Sequence, residues 1–268
     1  MNRIASLFSR LGAAGRKALV PFITAGDPSV ESTVEVMHAL VAGGADLIEL
    51  GVPFSDPMAD GPVIQRSSER ALTRGVTTPR VFEFIRQFRL GDQQTPVVLM
   101  GYLNPLEMRG ADAYAAAAAS AGVDGLLLVD LPPEEAGPIR AALNAHDVQL
   151  ISLAAPTTSG ERLRALAGAA QGYLYYVSLA GVTGASIADP AGVSAKVAML
   201  RGMSTVPVLV GFGIKDAGSA AAMAALADGV VVGSALVECL AAAGSAQDAA
   251  RRATAFLLPL RSALDALA

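Results

Sequence analysis

Eight short apolar runs, often β-branched, recur along the chain. They lie at Leu19–Ile23, Leu47–Leu50, Val97–Met100, Leu126–Val129, Gln149–Leu153, Leu174–Val177, Val208–Val210 and Val230–Val232. Longer segments with helical periodicity separate them. Such runs, bounded by helical segments, read as strands covered on both faces and paired in parallel through crossover helices. Eight units in 268 residues predict one closed α/β barrel, the (β/α)8 or TIM architecture, spanning 1–268 as a single domain. An extra N-terminal helix and a short helix after the eighth strand complete the expectation. A doubly wound open sheet is the main competitor. Its dinucleotide-binding version expects Gly-x-Gly-x-x-Gly after the first strand, which is absent here.

Punctuation between the runs supports helices. Asp27-Pro28 predicts an N-cap and first helical residue ahead of Val30–Val41. Thr158 and Glu161 have capping-box spacing. Glu134 and Glu135 follow Pro132-Pro133 and favour a helix start, while Pro138 blurs where that helix begins. At the N-terminus, Ile4, Leu7, Phe8 and Leu11 follow helical spacing among Arg3, Arg10, Arg16 and Lys17. This reads as an amphipathic targeting sequence or as a helix packed beneath the barrel. With no signal-peptide core, the second is favoured. Ala217–Val237 is largely apolar, but Asp228-Gly229 divides it into a helix and a strand, so no membrane span is expected.

A hydrophobic content of 53% supplies a large core. The net charge of −4 argues against a nucleic-acid partner. Cys239 is the single cysteine, which excludes an intrachain disulfide and a multi-cysteine metal site and suits a reducing, cytoplasmic setting. His38 and His146 have no acidic or cysteine partner at ligand spacing, so no metal is expected.

Barrel active sites lie at the C-terminal ends of the strands. The stretch Leu47–Gly61, LIELGVPFSDPMADG, places Glu49 at the end of the second strand and Asp60 in the loop behind it. A carboxylate at the end of a buried strand is costly unless paired or used, and two together make an acid–base set. Each also has a plain reading: Glu49 as a satisfied structural carboxylate, Asp60-Gly61 as a turn. Asp130 ends the fourth strand. Gly184, Gly213 and Gly233-Ser234 follow strands six, seven and eight. They read as turn residues or, taken together, as a backbone phosphate site in which Gly213 lets an N–H approach and Ser234 opens a helix.

The run Glu49–Gln65, ELGVPFSDPMADGPVIQ, resembles the signature of the tryptophan synthase α subunit. Matching pieces stand in order at Pro21–Pro28, Gly101–Pro105, Asp130–Pro132, Gly181–Gly184, Gly211–Ile214 and Gly233-Ser234. The resemblance covers nearly the whole chain. It implies a lyase that cleaves indole-3-glycerol phosphate to indole and glyceraldehyde 3-phosphate by a retro-aldol reaction, with Glu49 and Asp60 as the catalytic pair. It points to Phe22, Met100, Leu127, Val129, Leu153, Tyr175 and Phe212 as an indole slot; each alone reads first as ordinary barrel core, and only the set of strand-end positions reads as a slot. Thr183 is implied on a glycine-rich lid. The implied partner is a β subunit in a complex of two α and two β chains. Pyridoxal phosphate belongs to that β subunit and no cofactor to this chain. The Pro53–Asp60 loop and the Asn104 and Pro132 regions are the implied docking elements. A stand-alone lyase of the same family and a catalytically silent regulatory barrel are the alternatives. A different phosphosugar isomerase on this fold leaves the Glu49–Asp60 run unexplained.

Overall fold

A computed structural model describes residues 2–158, 160–177, 190–211 and 213–268. All strands are parallel: β1 (Ala18–Thr24), β2 (Ile48–Gly51), β3 (Val97–Gly101), β4 (Gly125–Leu128), β5 (Gln149–Leu150), β6 (Ser152–Ala154), β7 (Leu174–Val177), β8 (Val208–Gly211) and β9 (Gly229–Val232). The expected fifth strand is split at Ile151. Its first half, β5, pairs with β4, and its second half, β6, pairs with β7. With β1 between β2 and β9, the sheet order β5-β4-β3-β2-β1-β9-β8-β7-β6 closes through the chain itself at Ile151. The eight-unit barrel expected from the sequence is therefore the fold.

Alternation along the strands sorts the core into two zones. Val20, Leu47, Val98, Leu127, Tyr173 and Leu209 gather in one interior cluster. Leu19, Ile23, Ile48, Leu50, Val97 and Leu99 face the helices outside. The helix Arg3–Ala13 packs Ile4, Leu7 and Leu11 onto the interior cluster, and Phe8 lies 6.0 Å from Tyr173, centroid to centroid. That helix plugs the N-terminal end of the barrel, in line with the favoured sequence reading.

One device repeats at this lower end. Asp46, Asp124 and Asp228 stand just before β2, β4 and β9. Each accepts, through Oδ2, the backbone N–H of Leu19, Val97 or Val208, all at 2.9 Å. Each returns its own N–H to the same residue's carbonyl at 2.9 Å. An arginine completes each clip: Arg261 on Asp46, Arg89 on Asp124 and Arg201 on Asp228. The clips hold neighbouring strands in register where the ladders begin.

Two helix starts differ from expectation, and a third that Pro138 left blurred is fixed. Asp27 does not cap a helix; it takes a two-pronged bond from Arg70, at 2.7 and 2.8 Å, and the helix begins at Ser32. A long-range partner outcompetes the local cap. Thr158 instead accepts from Ala155 N at 3.0 Å, and its helix begins at Gly160. The helix Ala136–Asn144 holds Pro138 in its first turn, where the missing N–H costs nothing. The apolar stretch 217–237 forms the helix Ala217–Ala224, strand β9 and the start of the helix Ser234–Ala241. Among the described residues no helix is long and apolar enough to cross a membrane.

Candidate active site

Glu49 sits within β2 and not at its end as expected, because the strand runs on to Gly51; it is in register with Phe22 of β1 and Val98 of β3. It is fully buried. The Tyr173 hydroxyl donates to its Oε1 at 2.5 Å, and Oε2 is buried with no hydrogen-bond partner among the described residues. Burial disfavours the charged form and raises the Glu49 pKa to about 7, against the lowering effect of the Tyr173 bond. A carboxyl poised there exchanges a proton readily at neutral pH. Tyr173 is held well above the usual phenol value by burial and by the neighbouring Glu49 charge, so it stays a donor.

Asp60 arrives on the loop between β2 and the helix Pro62–Thr73. Its N–H donates to Pro57 O at 3.1 Å, so it is a turn residue. It is also a site carboxylate: the Tyr102 hydroxyl donates to Oδ2 at 2.9 Å. The same hydroxyl accepts from Ala59 N at 3.0 Å, and the Tyr102 ring stacks on Phe54 with centroids 4.9 Å apart. Gln65 Nε2 donates to Asp60 O at 2.8 Å and ties the loop to the following helix. Burial raises the Asp60 pKa, and the Tyr102 bond partly offsets this.

Asp60 lines a cleft at the upper end of the strands with Phe22, Thr24, Met100, Tyr102 and Val129. Glu49 is not on its wall; it lies enclosed in the barrel interior. Tyr175 links the two depths: it is buried, and both Glu49 and Asp60 bear electrostatically on its hydroxyl. Gly211 makes room for it, because a Cβ at 211 would collide with the Tyr175 phenol. Leu127 lies deeper and fully buried, and half-buried Leu153 packs against the interior cluster. The structure thus gathers Glu49, Asp60, Phe22, Met100, Leu127, Val129, Leu153 and Tyr175 in and above the barrel mouth. Thr183, Gly184 and Phe212 lie outside the described residues.

Gly213 follows β8 with φ 75°, in the left-handed region, and open space stands where a Cβ would be. Gly233 precedes the helix Ser234–Ala241, whose first turn carries no side-chain cap. Both glycines therefore present backbone at the strand ends. Asp130 is exposed and accepts Leu103 N at 2.8 Å, an anchor for the helix Leu103–Arg109. His38 packs against Phe88 with the rings tilted by 38°, and His146 is exposed. Among the described residues no cluster of three or more His, Cys, Asp or Glu is placed to hold a metal.

Residues 8–264 match the family model described as tryptophan synthase alpha chain. The chain belongs to that family. It is 64% identical to the tryptophan synthase alpha chain of Xanthomonas euvesicatoria, over 99% of both chains. Identity to that of Xylella fastidiosa is 62%, over the full length of both. The crystal structure of tryptophan synthase subunit alpha from Legionella pneumophila superposes with a TM-score of 0.92 at 47% identity, covering 99% of each chain. The chain is accordingly an alpha subunit acting in tryptophan biosynthesis, a lyase for the cleavage of indole-3-glycerol phosphate.

Two residues beside the alpha-chain carboxylates escaped the sequence reading. Tyr173 stands one position before the sixth apolar run. Its spacing of two from Tyr175 was the available signal, since residues i and i+2 share a strand face. Tyr102 lay within a matched motif, but nothing local tied it to Asp60, 42 positions away.

Proposed function

We propose that Glu49 and Asp60 carry the carbon–carbon cleavage. The observation behind this is the fully buried Glu49 carboxyl, raised to about 7 and bonded on one oxygen only. In the proposed reaction Glu49 delivers a proton to indole C3, which makes the ring a cationic electron sink. The side-chain hydroxyl then loses its proton to the Glu49 carboxylate. The C3–C bond breaks, its electron pair returns to the ring, and indole and the aldehyde separate with Glu49 reprotonated. Asp60, oriented by Tyr102, stabilises positive charge at the ring N–H. Phe22, Met100, Leu127, Val129, Leu153, Tyr175 and Phe212 hold the flat ring by apolar burial. The backbone at Gly184, Gly213, Gly233 and Ser234 takes the phosphate, and Thr183 belongs to a lid over the site.

The reading extends to assembly. The partner is a tryptophan synthase β subunit, in a heterotetramer of two α and two β chains, with pyridoxal phosphate held only by β. Met58, on the loop that carries Asp60, and Met108, after β3, are 84% and 82% exposed, which suits apolar contact on the implied docking elements. Cytoplasmic residence fits the single cysteine and the biosynthetic role.

The test is indole release from indole-3-glycerol phosphate by the purified chain, alone and with a β subunit. Glu49→Gln and Asp60→Asn are each expected to lose ~10²–10⁴-fold in turnover. Full activity in Glu49→Gln refutes its role. Light scattering of the mixed subunits tests the stoichiometry.

A further inference from the structure

The barrel has a second cavity, at the opposite end from the carboxylates. It is a half-open recess of about 290 Å³ between the N-terminal helix and the segments leading into β1, β8 and β9. Phe8, Leu11 and Pro207 form an apolar floor, and Arg16, Lys17, Arg201 and Asp228 stand around it. The volume approaches that of small-molecule sites, and an apolar body with a few polar groups is their usual lining.

The charges select a ligand class. Arg16 is paired with Asp265 at 3.1 Å, and Arg201 with Asp228 at 2.9 Å. Asp228 is further engaged by Val208 N, which leaves it poorly placed to receive a ligand cation. Lys17 donates to Ala227 O at 2.8 Å and has no carboxylate at ion-pair distance among the described residues. One ammonium, with donors to spare, is therefore the uncompensated charge of the cavity. A single negative charge balances it, and the floor favours an apolar body behind that charge. A dianionic phosphate matches neither feature. We propose that this cavity binds a small monocarboxylate with an apolar, preferably aromatic, body, at a site separate from the substrate cleft.

Benzoate is the probe, and benzyl alcohol its neutral counterpart, each titrated into the full-length chain and followed by side-chain NMR. Benzoate is expected to shift the Leu11 methyls and the Phe8 ring, and benzyl alcohol is not. Lys17→Gln removes a charge-assisted contact and should weaken benzoate about tenfold. Gly12 lines the same cavity and a Cβ there meets nothing within 4 Å, so Gly12→Leu starts a bulky side chain into open space on the cavity wall and should abolish the shifts. Both variants should keep wild-type indole release, since neither residue belongs to the upper site. No shift at millimolar benzoate overturns the proposal. Equal binding of benzyl alcohol overturns the charge argument, and shifts confined to Phe22, Met100 and Val129 would place the probe in the substrate cleft instead.

Discussion

The Tyr173 hydroxyl donates to Glu49 Oε1 at 2.5 Å, while Oε2 of the same buried carboxyl has no hydrogen-bond partner among the described residues. One donor is too little to hold a buried carboxylate charged at its ordinary pKa. The group is thus kept near neutrality's balance point, where giving and taking a proton cost about the same.

That balance carries a stability signature. Glu49 has a pKa of about 7 in the fold against 4.5 as its reference, so the folded chain binds the extra proton between those values. Stability from this group is greatest below pH 4.5 and declines as pH rises through 7, by up to about 3 kcal/mol. Glu49→Gln cannot ionise and lacks the slope. Urea unfolding at pH 5 and pH 8 should show the variant gaining on wild type at the higher pH. A constant difference at both would mean that Glu49 is not shifted.

The Tyr173 bond lowers the Glu49 pKa against the larger effect of burial. Tyr173→Phe removes it, and the pKa should climb further. If protonated Glu49 starts the reaction, the alkaline fall in kcat moves to higher pH. A purely structural role for Tyr173 would lower kcat and leave that limb where it is.

Tyr102 makes the equivalent claim for Asp60. Its hydroxyl bridges Asp60 Oδ2 and Ala59 N, and its ring is braced by Phe54. Tyr102→Phe keeps the stacking and removes both bonds. We expect kcat to fall about tenfold, the cost of one such charge-assisted bond, with the melting temperature nearly unchanged. Equal losses of stability and activity would assign Tyr102 to the loop fold alone.

These contacts also mark how far the sequence could be read. The apolar runs predicted the barrel because a strand buried on both faces leaves a local imprint. The N-terminal helix was similarly local, since Ile4, Leu7 and Leu11 carry its packing face. Glu49 was found because a carboxylate interrupts such a run. Tyr173, by contrast, joins Glu49 across 124 positions, and Asp27 finds Arg70 across 43. The first forms only when β7 and β2 come together across the barrel, and the second when the first two strand–helix units pack side by side. The split of the fifth strand at Ile151 likewise reflects closure, as β5 and β6 serve different neighbours, and no residue type there announces it.

The three aspartate clips should be unequal in strength, and burial sets the order. Asp124 and Arg89 have side chains 3% and 7% exposed, and Asp46 and Arg261 are nearly as enclosed, whereas Arg201 beside Asp228 is 49% exposed. Removing Asp124 takes the ion-pair partner from a buried guanidinium that otherwise bonds backbone carbonyls of Gly122, Asp92 and Thr95, and it frees the Val97 N–H. Asp124→Ala is therefore expected to cost about 3–5 kcal/mol. In Asp228→Ala, water reaches the released Arg201, and the ion-pair contribution falls to ~1 kcal/mol or less. Thermal melts should rank Asp124→Ala well below Asp228→Ala. Since both clips bond the backbone in the same way, equal losses in the two variants would show that the strand register, and not the buried charge, dominates their contribution.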